Sequence, residues 1–117
     1  MKRLTEVLNE RVNVGHMNLN SELLYITEGE NQVGSLVLVY NENKASIFSV
    51  EVLNKFRGKG YGKRLVENAI NRSKEKNCVS IELNTEIDNT VANNLYQSMG
   101  FELKGLKDDF NNYIKPL

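Results

Sequence analysis

Arg57-Gly58-Lys59-Gly60-Tyr61-Gly62 is the stretch that decides the fold. Three glycines alternate with side chains between an apolar run on one side and a helical stripe on the other. Glycine tolerates positive φ and lets a ligand come close to the backbone. The first N–H groups of a helix lack intrahelical partners and carry partial positive charge. A glycine turn that opens a helix is therefore a cradle for an anion. Lys55, Arg57, Lys59, Lys63 and Arg64 put five cations within ten residues, with no acid between them. Taken alone, the glycines could equally make a tight strand-to-helix turn.

Upstream, 23–26, 33–40 and 45–53 read as strands separated by the turn residues Gly29-Glu30-Asn31 and Asn41-Glu42-Asn43-Lys44. Short turns make these three an antiparallel meander. Residues 12–21 read as a loop or a short edge strand, and Leu4, Val7 and Leu8 suggest a short helix over 3–11. Downstream, Leu65, Val66, Ala69 and Ile70 mark a helix running to about Lys76, with Asn77 as its left-handed end. A strand follows over 78–84, with Val79, Ile81 and Leu83 on one face. Asp88, Asn89 and Thr90 are helix-capping types, and Ala92, Leu95, Tyr96 and Met99 give a second helix stopped by Gly100. Residues 101–106 and 113–117 close the chain as strands. The third strand, a helix and the fourth strand form one β-α-β unit, so those two strands should be parallel.

Composition narrows the function. The chain has 117 residues, enough for one domain, with 15 basic and 15 acidic side chains. Zero net charge and the lack of a stacking-aromatic motif argue against a nucleic-acid partner. No apolar run is long enough to span a membrane, and no secretory signal is present, so a cytoplasmic location is expected. The single cysteine, Cys78, is read as a buried apolar residue. Lys63-Arg64 does not supply the Gly-Lys-Ser/Thr of a Walker loop. Three antiparallel strands ahead of the glycines, with Glu82 lying inside its strand, do not suit a dinucleotide fold.

The combination of Arg57-Gly58-x-Gly60-x-Gly62, a helix, a strand and Asn89-x-x-Ala92-x-x-Leu95-Tyr96-x-x-x-Gly100-Phe101 resembles the GCN5-related N-acetyltransferase (GNAT) superfamily. The resemblance covers roughly 22–117. It implies a single α/β (α+β) domain over 1–117, with a mixed central sheet, an antiparallel N-terminal meander, parallel splayed central strands and flanking helices. It implies acetyl-CoA as cosubstrate and no metal. Carried onto this chain, the backbone of Val50, Glu51 and Val52 would pair with the pantetheine arm. The loop of Arg57, Gly58, Lys59, Gly60, Tyr61, Gly62 and Lys63 would hold the pyrophosphate, Asn89 would hydrogen-bond the arm, and Tyr96 would act as general acid toward the leaving thiolate. A backbone N–H near Val52 would polarise the carbonyl.

The general base is less defined. The positions where relatives place a carboxylate hold Ser46, Phe48 and Asn84 here, leaving Glu82, Glu51, water or no base; His16 is a minor candidate. Relatives also carry a strand and two helices before the meander, whereas residues 1–21 are atypical and short. That suggests an open acceptor cleft for a peptide or small-molecule amine, or one completed by a homodimer partner. The rival reading is a non-catalytic acyl-CoA-binding module of the same fold.

Overall fold

A computed structural model describes residues 12–117. The helix expected over 3–11 lies outside the described residues. Seven strands form one mixed sheet: β1 (Val12–Asn18), β2 (Ser21–Glu28), β3 (Asn31–Asn41), β4 (Lys44–Val52), β5 (Ser80–Glu86), β6 (Glu102–Lys107) and β7 (Phe110–Pro116). Their spatial order is β1-β2-β3-β4-β5-β7-β6. Helix α1 (Tyr61–Glu75) links β4 to β5, and α2 (Thr90–Ser98) links β5 to β6. The expected order of elements holds, with one strand more: 12–18 takes the edge-strand alternative. Its polar residues obscured it, because an edge strand buries only part of one face. Val12 and Val14 supply that part.

One row of residues runs across all seven strands: His16, Glu22, Leu38, Ile47, Leu83, Tyr113 and Leu103. Arg72 of α1 bonds to Glu22 and Tyr96 of α2 stacks near Tyr113, so both helices cover this face. Leu65, Val66 and Ala69 of α1 pack there fully buried with Leu24, Leu36, Ile47 and Ile81. Cys78 belongs to this core, as expected, and burial pushes its thiol pKa up. Val79 corrects the expectation of a three-residue apolar face: it precedes β5 and is half exposed, and only Ile81 and Leu83 point into the core.

α1 ends as the sequence suggested. Asn77 adopts φ 61°, the Cys78 N–H reaches back to the Ser73 carbonyl, and the Asn77 N–H to the Lys74 carbonyl. These are the two bonds of a Schellman ending.

A buried ion pair leaves no local mark in the sequence. Glu22 is 3% exposed and receives Arg72 through two nitrogens, Nε at 3.0 Å, while the Tyr40 hydroxyl donates to it at 2.6 Å. Arg72 holds the Glu22 carboxyl below its usual pKa of 4.5 against the opposing pull of burial, and burial together with Glu22 pushes Tyr40 up. A depressed carboxyl contributes stability above its unfolded pKa and loses it as pH falls through the folded value. Arg72→Ala should therefore cost about 3 kcal/mol at pH 7, measured by urea unfolding, because it strands a buried charge. The difference from wild type should shrink as pH falls through the lowered folded pKa of Glu22, where the carboxyl is protonated in both proteins.

Candidate active site

β4 and β5 pair in parallel from Lys44 with Ser80 to Ile47 with Leu83, and then separate. On its other side β4 stays paired with β3, but not evenly. Ser35 opposes Glu51 and Val37 opposes Phe48, so Ser49 and Val50 together face Leu36. Two residues against one is a β-bulge, and Ser49 takes φ 54° to make it. Past Ile47 the edge of β4 that faces β5 has no strand partner among the described residues. β5 remains held by β7 through Glu86 and Phe110.

The gap is a groove of about 970 Å³. Ile47, Ser49, Val50 and Val52 form one wall, and Leu83, Asn84, Thr85 and Glu86 the other. Asn89, Ala92 and Tyr96 cover one end, while Gly58, Gly60, Tyr61, Gly62 and Lys63 close the other.

The glycine loop carries the geometry of an anion site. Gly58 and Gly60 lie at φ 80° and 81°, where a side chain is strained. Gly60 is the N-cap of α1, with no side-chain cap and no acid in the first turn. The first helical bond is Arg64 N–H to the Gly60 carbonyl, so the amides of Tyr61, Gly62 and Lys63 precede the intrahelical ladder. Cations at this end oppose the helix dipole, which an anion would offset. Gly62 differs from the other two. Its φ is not positive, and an added methyl would meet only Val52 Cγ2 at 3.9 Å. Neither backbone strain nor neighbouring atoms demand glycine there.

α2 starts in the opposite way. Asn89 is its N-cap and accepts from the Ala92 N–H at 3.2 Å, which leaves its amide N–H groups for the groove it lines. Asn93 uses its whole capacity of two donors and two acceptors. Nδ2 donates to the Glu86 and Asn89 carbonyls, and Oδ1 accepts from Asn111 at 2.9 Å and from Tyr113 at 2.7 Å. It ties the end of β5, the start of α2 and β7 together. Nothing in the sequence marked it, since asparagine inside a helix usually reads as surface.

The run Tyr96-x-x-x-Gly100-Phe101 is a second Schellman ending. Gly100 has φ 88°, and the Phe101 N–H reaches the Tyr96 carbonyl at 3.0 Å. The accompanying apolar contact is Phe101 edge-on to the Tyr96 ring, with centroids 6.0 Å apart. Tyr96 is thus packed rigidly, and burial pushes its phenol pKa up, so it stays protonated through the neutral range.

The remaining expected residues separate. Val50 and Val52 line the groove, as does Arg57, whose Nε donates to the Val52 carbonyl at 3.0 Å. Glu51, Lys59 and Glu82 are outside the groove wall. Glu82 lies on the sheet face away from the helices, where Ser46 donates to it at 3.2 Å. His16 stands on β1 beside Glu22, one strand beyond β2. The carboxylate that does line the groove is Glu86, which sequence reasoning passed over. Its signal was the alternation of Glu82, Asn84 and Glu86 along one face of β5.

A splayed parallel pair, a bulge, an uncapped helix start and a buried tyrosine border one groove. Comparison with known proteins gives the family. Residues 5–101 match the model of the acetyltransferase (GNAT) family. The chain belongs to that family. It is 48% identical over 46 residues to N-alpha-acetyltransferase 30 of Saccharomyces cerevisiae, covering 39% of this chain and 26% of that one. It is 30% identical over 78 residues to [ribosomal protein bS18]-alanine N-acetyltransferase of Haemophilus ducreyi, covering 67% of this chain and 54% of the relative. The chain thus spans about half, or less, of these relatives. The crystal structure of PaiA N-acetyltransferase from Thermoplasma acidophilum in complex with coenzyme A superposes with TM-score 0.81 at 22% identity, over 86% of this chain and 63% of that one.

Asn93→Ala should deprive the buried Tyr113 hydroxyl and the Asn111 amide of their acceptor, and leave the Glu86 and Asn89 carbonyls with only their backbone donors. A loss of about 2 kcal/mol in urea unfolding is expected. Asn93→Asp, which keeps the acceptor but places oxygen against two carbonyls, should restore little of it.

Proposed function

We propose that this chain is an acetyl-CoA-dependent N-acetyltransferase that transfers the acetyl group to a primary amine by direct attack on the thioester. The observation that carries this reading is the continuity of the groove. One cleft joins the uncapped start of α1, the unpaired edge of β4 and the Tyr96 phenol. Its residues fit coenzyme A. The amides of Tyr61, Gly62 and Lys63 would hold the pyrophosphate, with Arg57 and Lys63 at the rim. The free edge of β4 would pair with the amide-bearing arm as a strand does. Asn89 would donate its remaining N–H groups to the arm.

In the reaction the amine nitrogen forms the new bond to carbon and the carbon–sulfur bond breaks. Backbone at the Ser49–Val50 bulge would stabilise the charge developing on the carbonyl oxygen; it lies slightly ahead of the Val52 position expected from the resemblance. Glu86 would take the amine's proton, displacing Glu82 and Glu51 as first choice because it borders the groove. Tyr96 would hydrogen-bond the departing sulfur. Full transfer from a tyrosine near 10 to a thiolate near 8.5 is uphill by about 2 kcal/mol, and burial makes it more so. Tyr96 would therefore act chiefly by hydrogen bonding in the transition state.

A second hollow, lined by Asn84, Leu106, Asp108 and Phe110, shares Asn84 and Phe110 with the groove. It offers an amine a way in past a carboxylate. Two relatives are named for acetylating protein N-termini, and a peptide α-amine is the acceptor class this reading favours.

Thiol release from acetyl-CoA, followed with peptides bearing free or blocked N-termini, should require the free amine. Coenzyme A binding without turnover on any amine would leave the chain a non-catalytic binding module. Tyr96→Phe should lower kcat by about 100-fold while coenzyme A affinity changes less than about twofold. Glu86→Gln should remove the acidic limb of the kcat/KM profile, and an unaltered profile would exclude Glu86 as base. Gly62→Ala should fold with unchanged Tm but bind coenzyme A at least about tenfold more weakly, because a methyl crowds the anion rather than the protein.

A further inference from the structure

The cations of the glycine loop are not all free to meet a ligand. Arg57 is held by the Val52 carbonyl at 3.0 Å, and Lys63 is paired with Glu67 at 4.0 Å. Lys59 Nζ lies 3.6 Å from Glu28 Oε2 and 5.1 Å from the centre of the Phe56 ring. Glu28 ends β2, and the same Oε2 accepts from the Tyr61 hydroxyl at 2.7 Å. Glu28 is therefore fixed by the first residue of α1, and its remaining charge points at Lys59. Phe56 borders the groove while Lys59 does not. The ammonium thus sits beside a ring that lines the groove without lining it itself, held by a carboxylate.

We infer that Glu28 is a specificity-determining residue: it holds Lys59 in reserve and yields it only to a phosphate standing beyond Phe56, the ribose 3′-phosphate of coenzyme A. The inference rests on the coenzyme A reading of the groove. Two features favour the 3′-phosphate over the pyrophosphate. The pyrophosphate's charge would be met by the amides at the start of α1, whose residues line the groove. Lys59 is instead outside the groove wall, next to the lining residue Phe56, and so is placed for a second, dianionic phosphate beyond the one the helix start would hold. A dianion outcompetes a single carboxylate that already accepts a hydrogen bond from Tyr61. The exchange moves one flexible side chain and leaves the backbone unchanged. Its cost is loss of an ion pair whose side chains are 49% and 39% exposed, a pair of modest strength that a ligand can displace.

Titration calorimetry of coenzyme A and 3′-dephospho-coenzyme A provides the test. Wild type should prefer the 3′-phosphorylated form. Glu28→Gln should tighten coenzyme A by about threefold to fivefold and leave the dephospho form within about twofold, with the gain fading at high salt. Lys59→Met should abolish the preference, and adding Glu28→Gln to it should change nothing further, since the two residues act through one another. Equal weakening of both forms by Glu28→Gln would make Glu28 a mere support for the loop and overturn the inference. So would a wild-type protein that binds both forms alike. If wild type binds neither form, the coenzyme A reading itself fails, which is a distinguishable result.

Discussion

Everything in this molecule is arranged around two strands that pair for four residues and then part. A strand in the middle of a sheet that loses its neighbour exposes a row of N–H and C=O groups, and such groups call for a partner. Past Ile47 and Leu83 the edge of β4 is in that position. The two sides of the gap are kept apart by different means. β4 is held to β3 across the Ser49–Val50 bulge, and its end is fastened by Arg57 to the Val52 carbonyl. β5 is held to β7, and its end is fastened by Asn93 to the Glu86 carbonyl. Each side can keep its place without the other, so the opening is built into the fold and does not depend on a ligand forcing it.

Helix α1 needs comparable control, because its first amides form one end of the groove. Two acids of β2 supply it. Glu22 grips Arg72 near the end of the helix and Glu28 grips Tyr61 at its start. The helix spans about 17 Å between those residues at 1.5 Å each. β2 spans about 20 Å between its acids at 3.3 Å each. The lengths match, so one strand sets both the position and the axial register of the helix whose start closes the groove. The buried pair fixes the helix while the exposed one leaves a lysine exchangeable, and their burial decides which does which. A charge 3% exposed cannot be given up cheaply, and one at the surface can.

The parts of this design legible in the sequence are those set by local rules. Helical periodicity downstream of the glycines, Asn77 and Gly100 at left-handed ends, and the glycine turn each depend on a few neighbouring residues and lie where expected, as does strand periodicity except at Val79. The misses share a different cause. Glu22 and Arg72 are 50 residues apart in the chain, and Asn93 meets Tyr113 only once β7 has crossed beneath α2. Such polar contacts leave no periodic trace. β1 was equivocal because an edge strand buries too little to impose alternation. Glu86 was overlooked because its face of β5 alternates polar residues throughout, and only the splay distinguishes the one at the groove from the one two residues earlier.

In Asn89 and Tyr96 the structural role does not compete with the chemical one proposed for each. Asn89 caps α2 with its oxygen and keeps its nitrogen for the groove. Tyr96 lies in the core against Phe101 and Tyr113 while forming part of the same wall. The structural role would make the proposed chemical one possible. An asparagine whose oxygen is committed to a helix start has its amide direction fixed. A tyrosine locked by a Schellman ending cannot swing away from the sulfur it would serve. A side chain already ordered by folding has little conformational entropy left to lose when a ligand arrives, an advantage that free surface residues of the same types would lack.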